Sequence, residues 1–242
     1  MFLKQTDLEK VKKIARMFLY LDIQEHELSP IFVSHPFTNS GFVVLRKENG
    51  EHEIVNILND EAALSSWRKQ IAAAIYRATS SNFLSNLICK PYKLVFLHYI
   101  QPYLSKEDFS KLLADSWCNM ENPNSDPNFT TAQLVSMFKS ADPIEVMCES
   151  DYAYFLELKR KNTAIVVYRG ITTNIMRDVK KLSWTLDADM AYWYAKRFDS
   201  HGTVYKAEIL PQYIFAYFSS RNETEVVLDP RKLQSIEVYK KV

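Results

Sequence analysis

The chain has 242 residues, of which 47% are hydrophobic and 24% are charged, a composition typical of a folded globular protein. Its four glycines are too scattered for a dinucleotide-binding fingerprint or a Walker loop, and the GxSxG motif is absent. These absences argue against a Rossmann enzyme, a P-loop NTPase and an α/β-hydrolase. A chain of this length can form one large domain or two small ones without disulfides or metals.

The cysteines and histidines give no sign of a disulfide framework or a metal site. Cys89, Cys118 and Cys148 lie far apart, and an odd, scattered set fits a reducing compartment, so we expect a cytoplasmic protein. No HExxH motif or zinc-ligand spacing occurs, so we expect no metal. No run of about 18 apolar residues predicts a membrane span, and the N-terminus has no signal-peptide core.

The formal net charge of +1 conceals an uneven distribution. Residues 1–150 carry 15 basic and 18 acidic side chains, whereas residues 151–242 carry 15 basic and 11 acidic ones. A mildly basic C-terminal part suits an anionic ligand such as a dinucleotide. An unevenly charged, solvated surface explains the same numbers equally well.

The first 140 residues are predicted to be mainly helical, with one small β-hairpin. Thr6 to Glu9 read as a capping box ahead of an apolar helical face that ends at Leu19. Asn49-Gly50, typical of a tight turn, lies between two strand-like segments of a predicted hairpin. Further helices are predicted over Leu64–Ile75, from Ser105 to Trp117, after Thr130, and from Asp142 to about Leu158.

After Lys161 the pattern changes to short segments rich in β-branched and aromatic residues. One helix interrupts them, capped by Asp187 and predicted to extend to Phe198. We therefore expect an α+β protein, in which a helical N-terminal part, residues 1–140, packs with a mixed or antiparallel β-core, residues 141–242. The predicted strands are 163–168, 182–185, 203–209, 213–218, 224–228 and 235–239.

Three short motifs in the strand-rich part carry residues suited to one kind of chemistry. Tyr168-Arg169-Gly170 ends a strand, Ser183-Trp184-Thr185 forms the next, and Glu223-Thr224-Glu225 leads into a later one. An arginine at a strand end can anchor phosphate, a serine can fix a carboxylate, and glutamates two apart on an extended segment point the same way. Each motif alone also occurs in ordinary strands. Together and in this order they favour a phosphate-bearing sugar substrate whose anomeric carbon becomes cationic.

In this order, the three motifs resemble the ADP-ribosyltransferases of the Arg-Ser-Glu class, among them bacterial and phage toxin-like members. The stretch LSWTLDADMAYWYAKRF resembles their Ser-Trp-Thr strand and the helix that follows it. The stretch IFAYFSSRNETEVVLDP resembles their strand, catalytic turn and strand. The resemblance covers roughly residues 140–242 and implies a β-core of the ADP-ribosyltransferase type.

The resemblance implies a role in NAD binding for the first two motifs. Arg169 would bind the pyrophosphate of NAD or shape its pocket, and Gly170 would let nicotinamide approach the backbone. Ser183 would hydrogen-bond Glu225 and orient it, while Thr185 would support the same strand. NAD is then the cosubstrate, and no metal is needed.

The resemblance gives the two glutamates different roles. Glu225 would accept a hydrogen bond from the 2′-hydroxyl of the nicotinamide ribose and stabilise the oxocarbenium ion as nicotinamide leaves. Glu223 would orient or deprotonate the nucleophile, and a glutamate at this position goes with arginine acceptors in the family. The implied activity is NAD-dependent mono-ADP-ribosylation of a macromolecule, with protein arginine favoured. A toxin, toxin–antitoxin or phage-defence setting, with a neutralising antitoxin as partner, is implied as well.

Several alternatives remain open at the level of sequence. The acceptor could be a base of DNA or RNA, or water, which would make the protein an NAD glycohydrolase. An inactive binding module is the remaining class, and the intact Arg169, Ser183 and Glu225 argue against it. Residues 1–140 could recognise the target, dock a partner or complete the core. We assign no stacking role to the nearby aromatic residues, which are Trp184, Trp193, Tyr194 and Tyr205.

Overall fold

The α+β class is confirmed, since helices account for 48% and strands for 25% of the structure and the sheets are antiparallel. The chain divides into two units between Pro123 and Asn124. The sequence suggested a boundary at residues 140 and 141, so residues 124–140 fall in the C-terminal unit instead. The computed structural model describes residues 2–27, 29–47, 49–172, 176–197, 201–220 and 223–242.

Helices make up most of the N-terminal unit. The first begins at Leu8, where the side chain of Asp7 accepts a hydrogen bond from Lys10 N at 3.2 Å. The capping box predicted at Thr6 is wrong, because the Thr6 hydroxyl donates to the Asp108 carboxylate instead. The helices of this unit are α1 (Leu8–Leu19), α2 (Glu61–Arg77), α3 (Ser81–Asn86), α4 (Lys93–Ile100) and α5 (Lys106–Asn119).

Two small antiparallel sheets complete the N-terminal unit. The predicted hairpin is confirmed, with Gly50 at φ +86°, a left-handed conformation that glycine adopts without strain. A second sheet precedes the hairpin and was not predicted, because its first strand is exposed and polar and shows no apolar alternation. The strands are β1 (Gln24–His26), β2 (Ser29–His35), β3 (Thr38–Ser40), β4 (Phe42–Arg46) and β5 (His52–Asn56).

The C-terminal unit opens with three helices, α6 (Thr131–Ser140), α7 (Pro143–Val146) and α8 (Glu149–Arg160). The helix predicted after Thr130 is confirmed, and a capping box begins it: the Thr130 hydroxyl accepts from Gln133 N, and the Thr130 N–H donates to the Gln133 side chain. The single helix predicted from Asp142 to about Leu158 is wrong. Met147 and Cys148 have extended backbone conformations and separate α7 from α8.

A six-stranded antiparallel sheet forms the centre of the C-terminal unit, and every one of the predicted strands is part of it. Two helices lie between its strands, α9 (Met176–Val179) and α10 (Ala188–Lys196). The predicted helix end, Phe198, lies outside the described residues. The strands are β6 (Ile165–Ile171), β7 (Ser183–Thr185), β8 (Thr203–Ile209), β9 (Ile214–Phe218), β10 (Glu225–Leu228) and β11 (Gln234–Lys241), in the spatial order β11-β8-β6-β7-β10-β9.

Helices cover this sheet and bury its apolar residues. α10 packs against β6, and α8 packs against β9. Among the described helices, none is long and apolar enough to cross a membrane. The fully buried strand residues are Val167, Val204, Ala207, Ile209, Ala216, Val226, Val227 and Leu228.

Candidate active site

The first two motifs lie on β6 and β7 and the third leads into β10, and these three strands are neighbours in one sheet. β7 is hydrogen-bonded to β6 on one side and to β10 on the other. Thr185 is the register partner of Tyr168 on β6 and of Glu225 on β10. Because neighbouring strands are about 4.8 Å apart, residues more than fifty positions apart in sequence are brought together here.

Arg169 links the first motif to the second through its guanidinium group. Its Nε donates to the main-chain oxygen of Asp178 at 2.8 Å, and its Nη1 donates to the main-chain oxygen of Ser183. Burial lowers the pKa of Arg169 to about 10, and the carboxylates of Glu225 and Asp178 oppose that shift. The side chain therefore stays cationic near pH 7. The two contacts use two of the five N–H donors of a guanidinium.

Ser183 takes part through its backbone. Its N–H donates to the side-chain oxygen of Asn124 at 3.2 Å, and its carbonyl accepts from Arg169. Its register partner on β10 is Val227, so Ser183 lies diagonally from Glu225, a separation of about 7–8 Å between Cα atoms. The hydrogen bond expected from the Ser183 hydroxyl to Glu225 stays a prediction. Thr185, not Ser183, lies directly opposite Glu225.

The Thr185 hydroxyl connects β7 to the turn that carries the glutamates. It donates to the main-chain oxygen of Glu223 at 2.7 Å and lies 2.9 Å from the hydroxyl of Thr224. It also accepts from the N–H of Asp187 at 3.1 Å, the residue that caps α10. Because its only proton goes to Glu223, the Thr224 hydroxyl is the donor in the second contact.

The turn between the two glutamates is not extended, which corrects the premise that both side chains point the same way. Thr224 has φ +43°, the left-handed region that β-branched residues avoid, and only Glu225 belongs to β10. Holding a residue there costs about 1–3 kcal/mol. The carbonyl of Thr224 accepts from Leu186 N at 3.1 Å, which also fixes the turn. Arg221 and Asn222, which precede it, lie outside the described residues.

Tyr194 also lies in this group of residues, although the sequence analysis assigned it no role. It lies on α10 and is half-buried. Burial is the largest cause that raises the pKa of Tyr194, and its interactions with the carboxylates of Glu223 and Glu225 act in the same direction. A sequence signal for it exists, because Tyr194 stands between the apolar positions Ala191 and Ala195 on the helix that directly follows the Ser-Trp-Thr strand.

Gly170 has a packing role that differs from the one expected. A Cβ at this position would lie 1.8 Å from the main-chain oxygen of Ala191 and 2.7 Å from Ala195 N. Gly202 on the neighbouring segment is equally crowded, with Ala195 O at 1.9 Å. The space that the missing Cβ leaves at Gly170 is therefore occupied by the backbone of α10. A contact between nicotinamide and the Gly170 backbone stays a prediction.

The group as a whole combines one half-buried cation, two half-buried carboxylates and a phenol. Such a set can stabilise a positively charged sugar and hold an anion or a cationic acceptor beside it. Among the described residues, no three histidine, cysteine or acidic side chains are grouped so that they could hold a metal ion. Comparison of the chain with protein-family models, curated proteins and solved structures gives no match.

Proposed function

We propose that this chain is an NAD-dependent mono-ADP-ribosyltransferase that transfers ADP-ribose to a macromolecule and releases nicotinamide. The observation that carries the proposal is the adjacency of β6, β7 and β10, with the charge of Arg169 acting on Glu225. An ADP-ribosyltransferase type of β-core is part of the proposal, as the motif resemblance implies. A solvated arginine and two solvated glutamates would not need this shared, partly buried arrangement.

The chemistry assigned to Glu225 is electrostatic. The bond between C1′ of the ribose and the nicotinamide nitrogen breaks, and its electron pair leaves with nicotinamide, which departs neutral. C1′ becomes an oxocarbenium ion, and the negative charge of Glu225 stabilises it. A partly buried carboxylate is more effective here than a fully solvated one, because less water screens its charge.

The acceptor then attacks C1′ and forms the new glycosidic bond. Glu223 receives the proton that the acceptor nitrogen loses and passes it to solvent. We propose protein arginine as the acceptor, because a carboxylate pairs well with a guanidinium group. In this scheme Ser183 and Thr185 support Glu225 and its turn.

Arg169 serves two purposes in the proposal. Its contacts with Asp178 and Ser183 fix the end of β6 relative to β7. The remaining donors of its guanidinium fork suit the pyrophosphate of NAD.

We place the activity in the cytoplasm and in a toxin or phage-defence setting, with a neutralising antitoxin as partner. The thiols of Cys89 and Cys148 are free, as suits a reducing compartment. The toxin setting rests on the motif resemblance alone. A test is growth arrest when the protein is produced in a bacterial host, with relief by Glu225→Gln.

The experiment that tests the proposal uses NAD labelled in the adenylate phosphate. The protein is incubated with this NAD and a cell lysate, and released nicotinamide and acid-precipitable label are measured together. Label that protease removes and nuclease leaves supports a protein acceptor, whereas the reverse indicates a nucleic-acid base. Nicotinamide release without retained label indicates a glycohydrolase. Absence of nicotinamide release from the wild type would overturn the proposal.

A further inference from the structure

Register pairing between β6 and β7 is confined, among the residues that the structure describes, to Tyr168 and Thr185. On its other side, β7 stays in register with β10 as far as Ser183, and the Leu182 carbonyl accepts from Leu228 N at 2.9 Å. Successive residues of an antiparallel strand direct their N–H and carbonyl groups to alternate sides. The N–H and carbonyl of Ser183 therefore face away from β10, at a point where register pairing with β6 has ended.

Two side chains take the place of a partner strand at Ser183. The Arg169 guanidinium donates to the Ser183 carbonyl, and the side-chain oxygen of Asn124 accepts from Ser183 N at 3.2 Å. The same Asn124 oxygen accepts from Leu182 N at 2.9 Å, and the main-chain oxygen of Asn124 accepts from Lys181 Nζ at 2.9 Å. Asn124 is buried, so water competes little for these donors. Asn124 thus fixes the beginning of β7 from the side opposite to β10.

We propose that Asn124 is a positioning residue that acts through the main chain of Ser183 and sets the separation of β6 and β7 at which NAD binds. The inference rests on the proposed function. Because Arg169 donates to the Ser183 carbonyl, a shift of Ser183 also displaces the guanidinium whose remaining donors are assigned to the pyrophosphate. The turn before Glu225 is held from the Thr185 end of β7 instead. Loss of Asn124 should therefore act mainly on the affinity for NAD.

The test measures nicotinamide release over a range of NAD concentrations for Asn124→Leu and Asn124→Asp. Leucine has a similar size and no acceptor, so the KM for NAD should rise about tenfold, with a smaller fall in kcat. Aspartate keeps an oxygen for both N–H groups, so its KM should stay within about twofold of the wild-type value. Asn124→Ser keeps a shorter acceptor and should give an intermediate KM, and it replaces Asn124→Leu if that variant does not fold.

Val135→Ala is the control for an effect of stability alone. Val135 is buried on α6, which packs against β9 at the edge of the sheet. Its truncation leaves a cavity and lowers the free energy of unfolding. A smaller folded fraction reduces the apparent kcat but not the affinity of the folded molecules, so Val135→Ala should keep the wild-type KM. Denaturant unfolding of all variants gives the matching stabilities.

The outcomes separate this inference from the proposed function. A wild-type KM in Asn124→Leu, or in Asn124→Ser where it replaces that variant, would overturn the inference and leave the proposed function standing. An equal rise of KM in Asn124→Asp would do the same, because the acceptor oxygen would then not matter. An equal rise in Val135→Ala would also overturn it, because KM would then follow stability. A wild type that releases no nicotinamide would overturn both.

Discussion

The Thr185 hydroxyl donates a hydrogen bond to the main-chain oxygen of Glu223 at 2.7 Å, which ties the Ser-Trp-Thr strand directly to the glutamate turn. Thr185 is only 6% exposed, and its hydroxyl uses its one proton and accepts from Asp187 N and from Thr224. A buried hydroxyl with three partners is fully satisfied. Hydrogen bonds from Thr185 on β7 therefore hold Thr224 in its strained conformation. Through them, Thr185 fixes the position at which β10 begins, at Glu225.

Thr185→Val removes the hydroxyl while keeping the shape of the side chain. The carbonyl of Glu223 and the N–H of Asp187 lose a partner, so the free energy of unfolding should fall by about 1–3 kcal/mol, measured by denaturant unfolding. Nicotinamide release should fall as well, because the turn can relax. Thr185→Ser keeps the hydroxyl, so its free energy of unfolding and its rate of nicotinamide release should both stay close to the wild-type values. A loss in Thr185→Ser with wild-type values in Thr185→Val would mean that the methyl group matters rather than the hydrogen bonds.

Glu225→Gln is the most direct test of the proposed chemistry. It replaces the carboxylate opposite the oxocarbenium ion with a neutral amide of the same shape, so nicotinamide release should fall by about 10²–10³-fold. The matched control is Glu237→Gln on the exposed β11, which should release nicotinamide at the wild-type rate. Similar rates for the two variants would contradict the assignment of Glu225.

Arg169→Lys keeps the positive charge and removes the forked geometry. A lysine cannot reach the carbonyls of Asp178 and Ser183 together, so the affinity for NAD and the free energy of unfolding should both fall, the latter by about 1–3 kcal/mol. Calorimetric titration with NAD and denaturant unfolding measure the two effects. Arg160→Lys, at the exposed end of α8, is the control. Unchanged NAD affinity with reduced stability would assign Arg169 a purely structural role.

Much of the C-terminal fold could be predicted because its sequence signals are local. The six strands are marked by β-branched and aromatic residues, and Asp187 caps α10 as expected. The break at Met147 and Cys148 carries neither proline nor glycine, so a continuous helix was the natural prediction. The sheet before the hairpin was missed because β1 and β3 have only three residues each, and β2 carries a continuous apolar run instead of an apolar alternation.

The candidate site could be predicted only in part. The order of the motifs, and the resemblance that it carries, named Arg169, Ser183 and Glu225. Local strand signals do not say which strands pair, so the adjacency of β6, β7 and β10 is seen only in the structure. The left-handed conformation of Thr224 could not be predicted from the sequence, because it depends on hydrogen bonds from a strand that is distant in sequence. Tyr194 was missed for the same reason, since the carboxylates of Glu223 and Glu225 influence its pKa only once α10 lies on the sheet.

Gly170→Ala tests whether the glycine serves packing. The added Cβ would meet the backbone of Ala191, which cannot move alone, so the free energy of unfolding should fall by about 1–3 kcal/mol or more. Gly41→Ala is a useful comparison, because a Cβ at Gly41 would closely approach only the flexible side chain of Leu58. The free energy of unfolding should therefore fall less in Gly41→Ala than in Gly170→Ala. Reduced NAD binding at wild-type stability would instead favour a direct role beside nicotinamide.

His35 provides a prediction for the N-terminal unit. Its ring is only 1% exposed, and its Nδ1 accepts from Phe37 N at 3.1 Å. Burial, with a smaller contribution from the charge of Arg68, lowers its pKa to about 4 from the ordinary value of 6.5. Between these two values the unfolded chain binds a proton at His35 and the folded chain does not.

Stability therefore falls as the pH drops through this window. The sign follows from linkage, because a state that binds more protons is favoured by acid, and here that state is the unfolded one. His35 should account for a loss of up to about 3 kcal/mol between pH 6.5 and 4. His35→Asn keeps an acceptor for Phe37 N and cannot titrate, so its unfolding free energy should depend less on pH over that range. His52 is exposed, so His52→Asn is the control, and its unfolding free energy should depend on pH as that of the wild type does. The same pH dependence in His35→Asn would contradict the prediction, because it would show that the His35 imidazole is protonated in the folded state.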